Sequence, residues 1–496
     1  MNKLLLTLCS LSISFLAFGK PHAPTSPSDP VAVVDTIAPL VVDIDWPDYT
    51  RYAEKNARQI GSRPKAVLFG DSITQNWAQF DPEWLAENNF VGRGISGQTT
   101  MHMLSRFRAD VIDLEPEYVA ILAGINDIAR NNGYISIRNI FGNIVSMVEL
   151  ARCHGIKPIL CTLTPAEEIG WRLRVGDPRP SIDSLNAMIV SYAAANGIPL
   201  ADYHSAMVVE GGAMDPRYVI DAVHPNIDGY KVMEAVLLAT IRKAETLKVM
   251  SFNIRNAGAP DGANDWAHRR DATTAMLKSV SPDVFGVQEA YPEQEAFILE
   301  TCPEYRGFGV GRDDGADSGE RMSVFYKHDE FELLDGGTWW LSETPGMPSV
   351  GWDARYPRTA TWALLRQRSS GQEFFFVNTH LDHIGVNARI KGLELVMSFT
   401  SEMRPGTPLV LLGDFNVSPG DKCLAEVNTL MHDARREAPA TTDKASFNGF
   451  GLAHKIIDYI YFRDFCCAEE FSVVDESFAG KPYISDHYPI SAVLRF

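Results

Sequence analysis

Five short apolar runs recur along the first half of the chain, and stretches of helical periodicity separate them. This alternation narrows the choice of fold more than any other feature. The runs are KAVLFG (65–70), FVGRGI (90–95), YVAILAGI (118–125), KPILCTLT (157–164) and IPLADYH (198–204). Between them lie segments such as IFGNIVSMVELARCHG and SIDSLNAMIVSYAAANG, whose apolar residues fall three and four apart and whose last residue is Gly. Strand followed by amphipathic helix, repeated, predicts a parallel sheet with helices on both faces. A lead-in helix (YTRYAEKNARQ) precedes the first run, and GYKVMEAVLLATIRKAE closes the unit.

The rhythm changes at Leu247. LKVMSFNIRN and DVFGVQEA read as strands either side of the helix RRDATTAMLKSV. MSVFYKHD, FELLDGGTWWL, TATWALLRQ and EFFFVNTHL then arrive as successive strands, a mixed α+β pattern with hairpins. A chain of 496 residues exceeds one hydrophobic core. The expected domains are therefore 48–245 and 246–496, with almost no linker between them.

The N-terminus, MNKLLLTLCSLSISFLAFGK, places a lysine before a short apolar stretch and small residues after it. This reads as a signal peptide over 1–20, hence a secreted or periplasmic protein, followed by a Pro/Ser-rich linker over 21–47. No other stretch is long and apolar enough to span a bilayer, so the mature chain is expected to carry no transmembrane segment. Removal of Cys9 with the signal leaves six cysteines. Their spacing fits no metal site, and they are expected to be mostly free thiols, with Cys153–Cys161 the one pairing to test. A net charge of −18 disfavours nucleic acid as a partner, because an acidic surface repels a phosphate backbone.

Four polar blocks of the first half follow the strand runs or lie beyond the last of them: Gly70-Asp71-Ser72, RGISGQTT, AGIND and DAVHPN. Open α/β sheets place their sites at the C-terminal ends of strands. A serine hydroxyl is a weak nucleophile until a base takes its proton, and a histidine does so when a carboxylate steadies it. Ser72, His224 and Asp221 supply those roles. Backbone N–H groups at Ser72 and Gly97, with the Asn126 amide, would stabilise an oxyanion. With all four blocks in this order, residues 48 to 245 resemble the SGNH, or GDSL, esterases and lipases. The resemblance implies a three-layer α/β/α, flavodoxin-like domain and a serine esterase. Ile73-Thr74 stands where the name-giving motif has Leu, a variant that touches no catalytic role.

The second half carries Asn253, Glu289, His380, Asp414 and Asn416 (GDFN), Asp458, and Asp486-His487 (SDHYP), again punctuating strand ends. Carboxylates and amide oxygens without cysteine suit a hard divalent cation, Mg²⁺ or Mn²⁺. A histidine with its own carboxylate can deprotonate water. From Leu247 to Phe496 the set is similar to the endonuclease/exonuclease/phosphatase superfamily, which implies a four-layer DNase I-like α/β sandwich. That resemblance implies that Glu289, helped by Asn253 and Asp486, holds the metal, and that His487 is a general base oriented by Asp458. It also implies that Asp414 and Asn416 position nucleophile and phosphate, and that His380 contacts the phosphate or assists the leaving group. Asp382 and His383 lie near with a weaker claim.

The expectation is an exported bifunctional hydrolase. A serine esterase cleaving an acyl or acetyl ester is joined to a metal-dependent phosphoesterase, and both act on small-molecule, glycan or lipid substrates. The alternatives are a secreted nuclease with an accessory esterase, or one half kept as a non-catalytic binding module.

Overall fold

A computed structural model describes residues 45–496, except residue 443 and the side chain at 403. The expected signal peptide, Cys9 and all but the last residues of the 21–47 linker lie outside the described residues. A helix, α1 (Thr50–Gln59), leads into β1 (Ala66–Gly70). Strands β2 (Phe90–Gly94), β3 (Tyr118–Leu122), β4 (Lys157–Cys161) and β5 (Leu200–Ala201) follow. They form one parallel sheet in the order β2-β1-β3-β4-β5, as the alternation predicts.

Successive strand residues point to opposite faces, and both faces are apolar. Val67, Phe69, Val119 and Ile121 enter one core, while Ala66, Leu68, Ala120 and Leu122 enter the other. Helices cover both: α2 (Ser72–Phe80), α3 (Pro82–Glu87), α4 (Thr100–Asp110), α5 (Ile125–Ile128), α6 (Ile137–Cys153), α7 (Arg179–Asn196), α8 (Tyr203–Met207) and α9 (Ile227–Glu245). The strand order reverses direction between β1 and β3, where such sheets open a crevice.

The last residue of α9, Glu245, is followed directly by β6 (Thr246–Asn253). The strands beyond it are β7 (Val284–Gln288), β8 (Tyr305–Phe308), β9 (Val324–Lys327), β10 (Phe331–Trp340), β11 (Thr359–Gln367), β12 (Glu373–His380), β13 (Leu409–Asp414), β14 (His432–Asp433), β15 (Ala440–Thr441), β16 (Asp458–Arg463), β17 (Cys467–Val473) and β18 (Ile490–Arg495). They form two mixed sheets, β10-β11-β12-β13-β16-β14 and β15-β17-β18-β6-β7-β9-β8.

Alternation again assigns the layers. Phe374, Phe376, Val410 and Leu412 meet Val249, Val284 and Ala492 in the core between the sheets. Phe375, Val377, Leu409 and Leu411 face outward under α12 (Val386–Met403), and Met250, Phe252, Phe285 and Val287 face outward under α10 (Trp266–Val280) and α11 (Pro292–Thr301). The result is the four-layer sandwich that the hairpin pattern and the resemblance led one to expect.

All six cysteines among the described residues are free thiols, so Cys153 and Cys161 are unbridged. No helix among the described residues is long and apolar enough to cross a membrane.

Candidate active sites

In the first half, the nucleophile turn is a product of close packing. A Cβ at Gly70 would lie 2.9 Å from the Leu122 carbonyl and collide with Thr74, so only glycine lets the chain leave β1 there. Asp71 caps α2 by accepting from the Ile73 N–H at 3.0 Å, which puts Ser72 at the first helical position. Burial of Asp71 pushes its carboxyl up to about 6.

Ser72 Oγ lies 2.9 Å from His224 Nε2, and His224 Nδ1 lies 2.9 Å from Asp221 Oδ2. Asp221 Oδ1 accepts the N–H groups of Val223 and His224, both at 2.8 Å, so one tight turn presents base and orienter together. Burial raises the Asp221 carboxyl, but the bonds from His224 and Val223 outweigh it and hold it below the usual range. Gly97 sits at φ +79°, in the left-handed region that favours glycine.

Asn126 is buried in α5 just after β3. Its Oδ1 accepts from Asn131 at 2.8 Å, while its Nδ2 has no hydrogen-bond partner. Its neighbour Asp127 accepts from Thr100 N at 2.8 Å and Thr100 Oγ1 at 2.7 Å, tying this turn to the start of α4.

In the second half, strand register does the gathering. His380 is paired with Asp414 across β12 and β13, and Asp414 with Asp458 across β13 and β16. Asp458 Oδ2 then holds His487 Nδ1 at 2.9 Å, while His380 Nε2 and His487 Nε2 lie 3.5 Å and 3.7 Å from Asp414 Oδ2. Asn416 donates to the Leu381 carbonyl and approaches His380 Nε2, each at 3.0 Å. Glu289 follows β7 at φ +62° and Asn416 follows β13 at φ +54°. Left-handed non-glycine residues of this kind concentrate where a side chain must be aimed.

Asn253 presents its Nδ2 to Glu289 Oε1 at 2.9 Å and to Asp414 Oδ2 at 3.1 Å, while its Oδ1 accepts from Arg255 N. It thus braces two carboxylates with its nitrogen. Asp486 lines the same cleft, 3.7 Å from Arg255 Nη1. Ligating atoms fall within 4.8 Å of one another in two groups, Glu289–His380–Asp414 and Asp414–Asp458–His487. Asp486 stands outside both.

These residues fit a divalent cation. The donors are carboxylate and imidazole with no thiolate. Burial, with Asp458 and Glu289 nearby, holds the Asp414 carboxyl far above its ordinary range, the mark of crowded negative charge. Burial pulls the His487 imidazole down, and the Asp458 and Asp414 carboxylates more than reverse it.

The cleft encloses about 570 Å³. Its lining includes Arg358, a candidate from the sequence, and Arg312, Glu320, Tyr356 and Lys455, which the motifs do not mark. Arg312 Nη1 is 2.6 Å from Glu320 Oε2, and Arg358 pairs with Asp382 at 3.2 Å and approaches His383 Nδ1 at 3.0 Å. Among nearby basic and aromatic residues, Arg269 is instead a buried brace that donates to backbone carbonyls of Asn264, Ile254, Arg255 and Ile484. Trp266 belongs to the core and Arg270 lies over Phe297.

Two ester-cleaving arrangements on two folds define a two-domain hydrolase. Residues 68–232 match the GDSL-like Lipase/Acylhydrolase family and residues 250–487 match the Endonuclease/Exonuclease/phosphatase family, and the chain belongs to both. A GDSL-like lipase from Bacteroides thetaiotaomicron is 46% identical, covering 40% of this chain and 98% of its own, with a TM-score of 0.39. A mannosyl-6-phosphatase from the same species is 34% identical, covering 50% of this chain and 100% of its own, with a TM-score of 0.48. The uncharacterized lipoprotein YqeF of Bacillus subtilis is 38% identical over 119 residues, 21% of this chain. The chain spans about half the length of that curated relative, 49%.

Proposed function

We propose that this is an exported bifunctional hydrolase. Its first half removes an acyl or acetyl group through Ser72, and its second half hydrolyses a small phosphomonoester with a divalent cation. The observation that carries the first activity is the continuous Ser72–His224–Asp221 hydrogen-bond chain. Ser72 Oγ attacks the ester carbonyl as His224 Nε2 takes its proton. Asp221 steadies the imidazolium. The same proton passes to the departing alcohol as the ester C–O bond breaks, and water, deprotonated by His224, then releases the acid.

In the second half, Glu289 with Asp414 would hold the cation, with Asn253 bracing both and Asp486 lining the same cleft. A divalent cation bound there neutralises phosphate charge. His487, fixed by Asp458, would take the proton of the attacking water once a cation offsets the Asp414 charge that holds the imidazole protonated, and Asn416 and His380 would contact the phosphoryl oxygens. Arg312, Arg358 and Lys455 line the same cleft. Arg312 and Arg358 are matched by Glu320 and Asp382, so Lys455 together with a bound cation supplies the surplus positive charge that suits the dianion of a monoester, and the acidic chain as a whole disfavours nucleic acid.

The test is hydrolysis of p-nitrophenyl acetate, p-nitrophenyl phosphate, bis-p-nitrophenyl phosphate and plasmid DNA, with and without EDTA. The proposal expects acetate cleavage that survives EDTA, and monoester cleavage that exceeds diester cleavage and is lost in EDTA. Faster turnover of DNA or the diester would make the second half a nuclease or diesterase instead. Loss of turnover by either half would make that half a binding module.

A further inference from the structure

Trp171 lies in the short 3-10 segment Gly170–Val175, between β4 and α7, and is 42% exposed. Its ring stands 5.7 Å from the His224 imidazole, tilted by 36°. Its Nε1–H donates to Asn131 Oδ1 at 3.1 Å. An indole nitrogen can only donate, so this bond decides which end of the Asn131 amide is oxygen. Asn131 Nδ2 must then point the other way, and it donates to Asn126 Oδ1 at 2.8 Å and to the Gly97 carbonyl at 3.2 Å. The Asn126 oxygen is engaged, so its nitrogen is the free end, and that nitrogen is buried with no hydrogen-bond partner. Buried amide groups without partners are rare in native proteins. An amide held open for a charge that develops only during reaction accounts for this one.

We propose that Trp171 and Asn131 are positioning residues, a two-step relay that orients the Asn126 amide towards the oxyanion of the acyl-transfer intermediate. The inference rests on Ser72 being the nucleophile of an esterase. It also makes the exposed Trp171 loop, which touches both His224 and the relay, part of how the site is assembled. Neither residue belongs to a motif block.

The discriminating comparison is Asn131→Asp against Asn131→Ala in the full-length chain, with p-nitrophenyl acetate as probe. Aspartate keeps the shape of asparagine but cannot donate. It would draw Asn126 Nδ2 towards itself and repel the Gly97 carbonyl. The relay therefore expects Asn131→Asp to lower kcat by roughly 10²- to 10³-fold with KM changed by less than about threefold, and Asn131→Ala to do less harm. A merely structural role reverses that order, since alanine removes more packing, and that reversal would overturn the proposal. Trp171→Phe keeps the ring against His224 and deletes only the donor. It should lower kcat about tenfold, a fall well inside the loss of one oxyanion donor, and it decides the question if the aspartate variant does not fold.

A second readout does not need turnover. The Trp171 indole proton, assigned in a ¹⁵N spectrum by its disappearance in Trp171→Phe, should be protected from solvent exchange in the parent protein and exposed in Asn131→Ala. If the parent shows no Ser72-dependent turnover, the esterase reading fails, and this proton still decides whether the relay exists. An indole proton that exchanges equally fast in both proteins would remove it.

Discussion

Glu245, the last residue of α9, pairs with Lys65 at the foot of β1 and with Arg495 at the end of β18, 3.3 Å from its Nη1. One carboxylate is thus shared by the two halves at the point where one becomes the other. Around it, Arg242 pairs with Glu469 and Glu470 at 3.0 Å and 2.7 Å, and Gln367 donates to the carbonyls of Lys243 and Thr246. The expected outcome is a single calorimetric unfolding transition for the intact chain. Glu245→Ala should lower its stability by about 1 kcal/mol, since two ion pairs are lost while Lys65 keeps Glu117 and Arg495 keeps Glu469 as partners. Two well-separated transitions in the parent would contradict this.

Removing the orienter of the first site should be almost as damaging as removing its nucleophile. Asp221→Asn keeps the shape of the turn but leaves His224 free to hold the wrong tautomer, and a fall in kcat of roughly 10³- to 10⁴-fold is expected. Ser72→Ala should abolish acetate hydrolysis. EDTA should change neither the parent rate nor the residual rates, which steady-state assays with p-nitrophenyl acetate will show.

The second site should depend on Glu289 at the level of metal binding itself. Glu289→Gln removes one negative charge from a cluster that already lifts the Asp414 carboxyl. Titration calorimetry with Mg²⁺ or Mn²⁺ should show affinity reduced by at least about tenfold, a typical cost for disturbing a metal site. Asp458→Asn should leave metal affinity nearly unchanged and lower phosphoesterase kcat, because Asp458 acts through His487. Equal loss of affinity in both variants would place the cation between Asp414 and Asp458 instead.

The pH dependence of stability carries a sign that can be checked at Asp127. Burial raises its carboxyl to about 6 in spite of the two bonds from Thr100, against about 3.9 in an unfolded chain. The folded state therefore holds the proton more tightly. The stabilisation is complete below about pH 4 and disappears as pH rises through about 6. Asp127→Asn does not titrate. The parent should lose about 2 kcal/mol relative to this variant between pH 4.5 and 7. Urea midpoints for both proteins at pH 4.5 and 7 measure it, and a difference that does not change with pH would show that Asp127 is not held neutral by burial.

The first sheet was readable because its strands are apolar on both faces, so KAVLFG and YVAILAGI stand out as unbroken runs. The two-sheet half was readable from hairpins such as FELLDGGTWWL with TATWALLRQ. The long α12 is hard to read in the sequence, because its apolar residues pack on one sheet face while polar ones interrupt the run. Motif residues were visible because chemistry forces a polar group to the end of an apolar strand, as at Ser72, Asp414 and Asp458. Trp171, Asn131, Arg312 and Tyr356 lie outside the regular strands. No period marks them, and only the fold brings them to the clefts. The family resemblance implies Asn253 as a metal ligand, while the orientation of its amide, nitrogen towards both carboxylates, depends on the Arg255 N–H.

The direct passage from α9 into β6 makes the junction a geared shaft. One residue inserted into α9 would turn everything beyond it by about 100° and push it forward by about 1.5 Å. Such a twist would pull Arg242 away from Glu469 and Glu470, and Glu245 away from Arg495. The length of this helix is therefore constrained more tightly than its composition. Exchange of either half for a relative should succeed only when the helix is cut in phase.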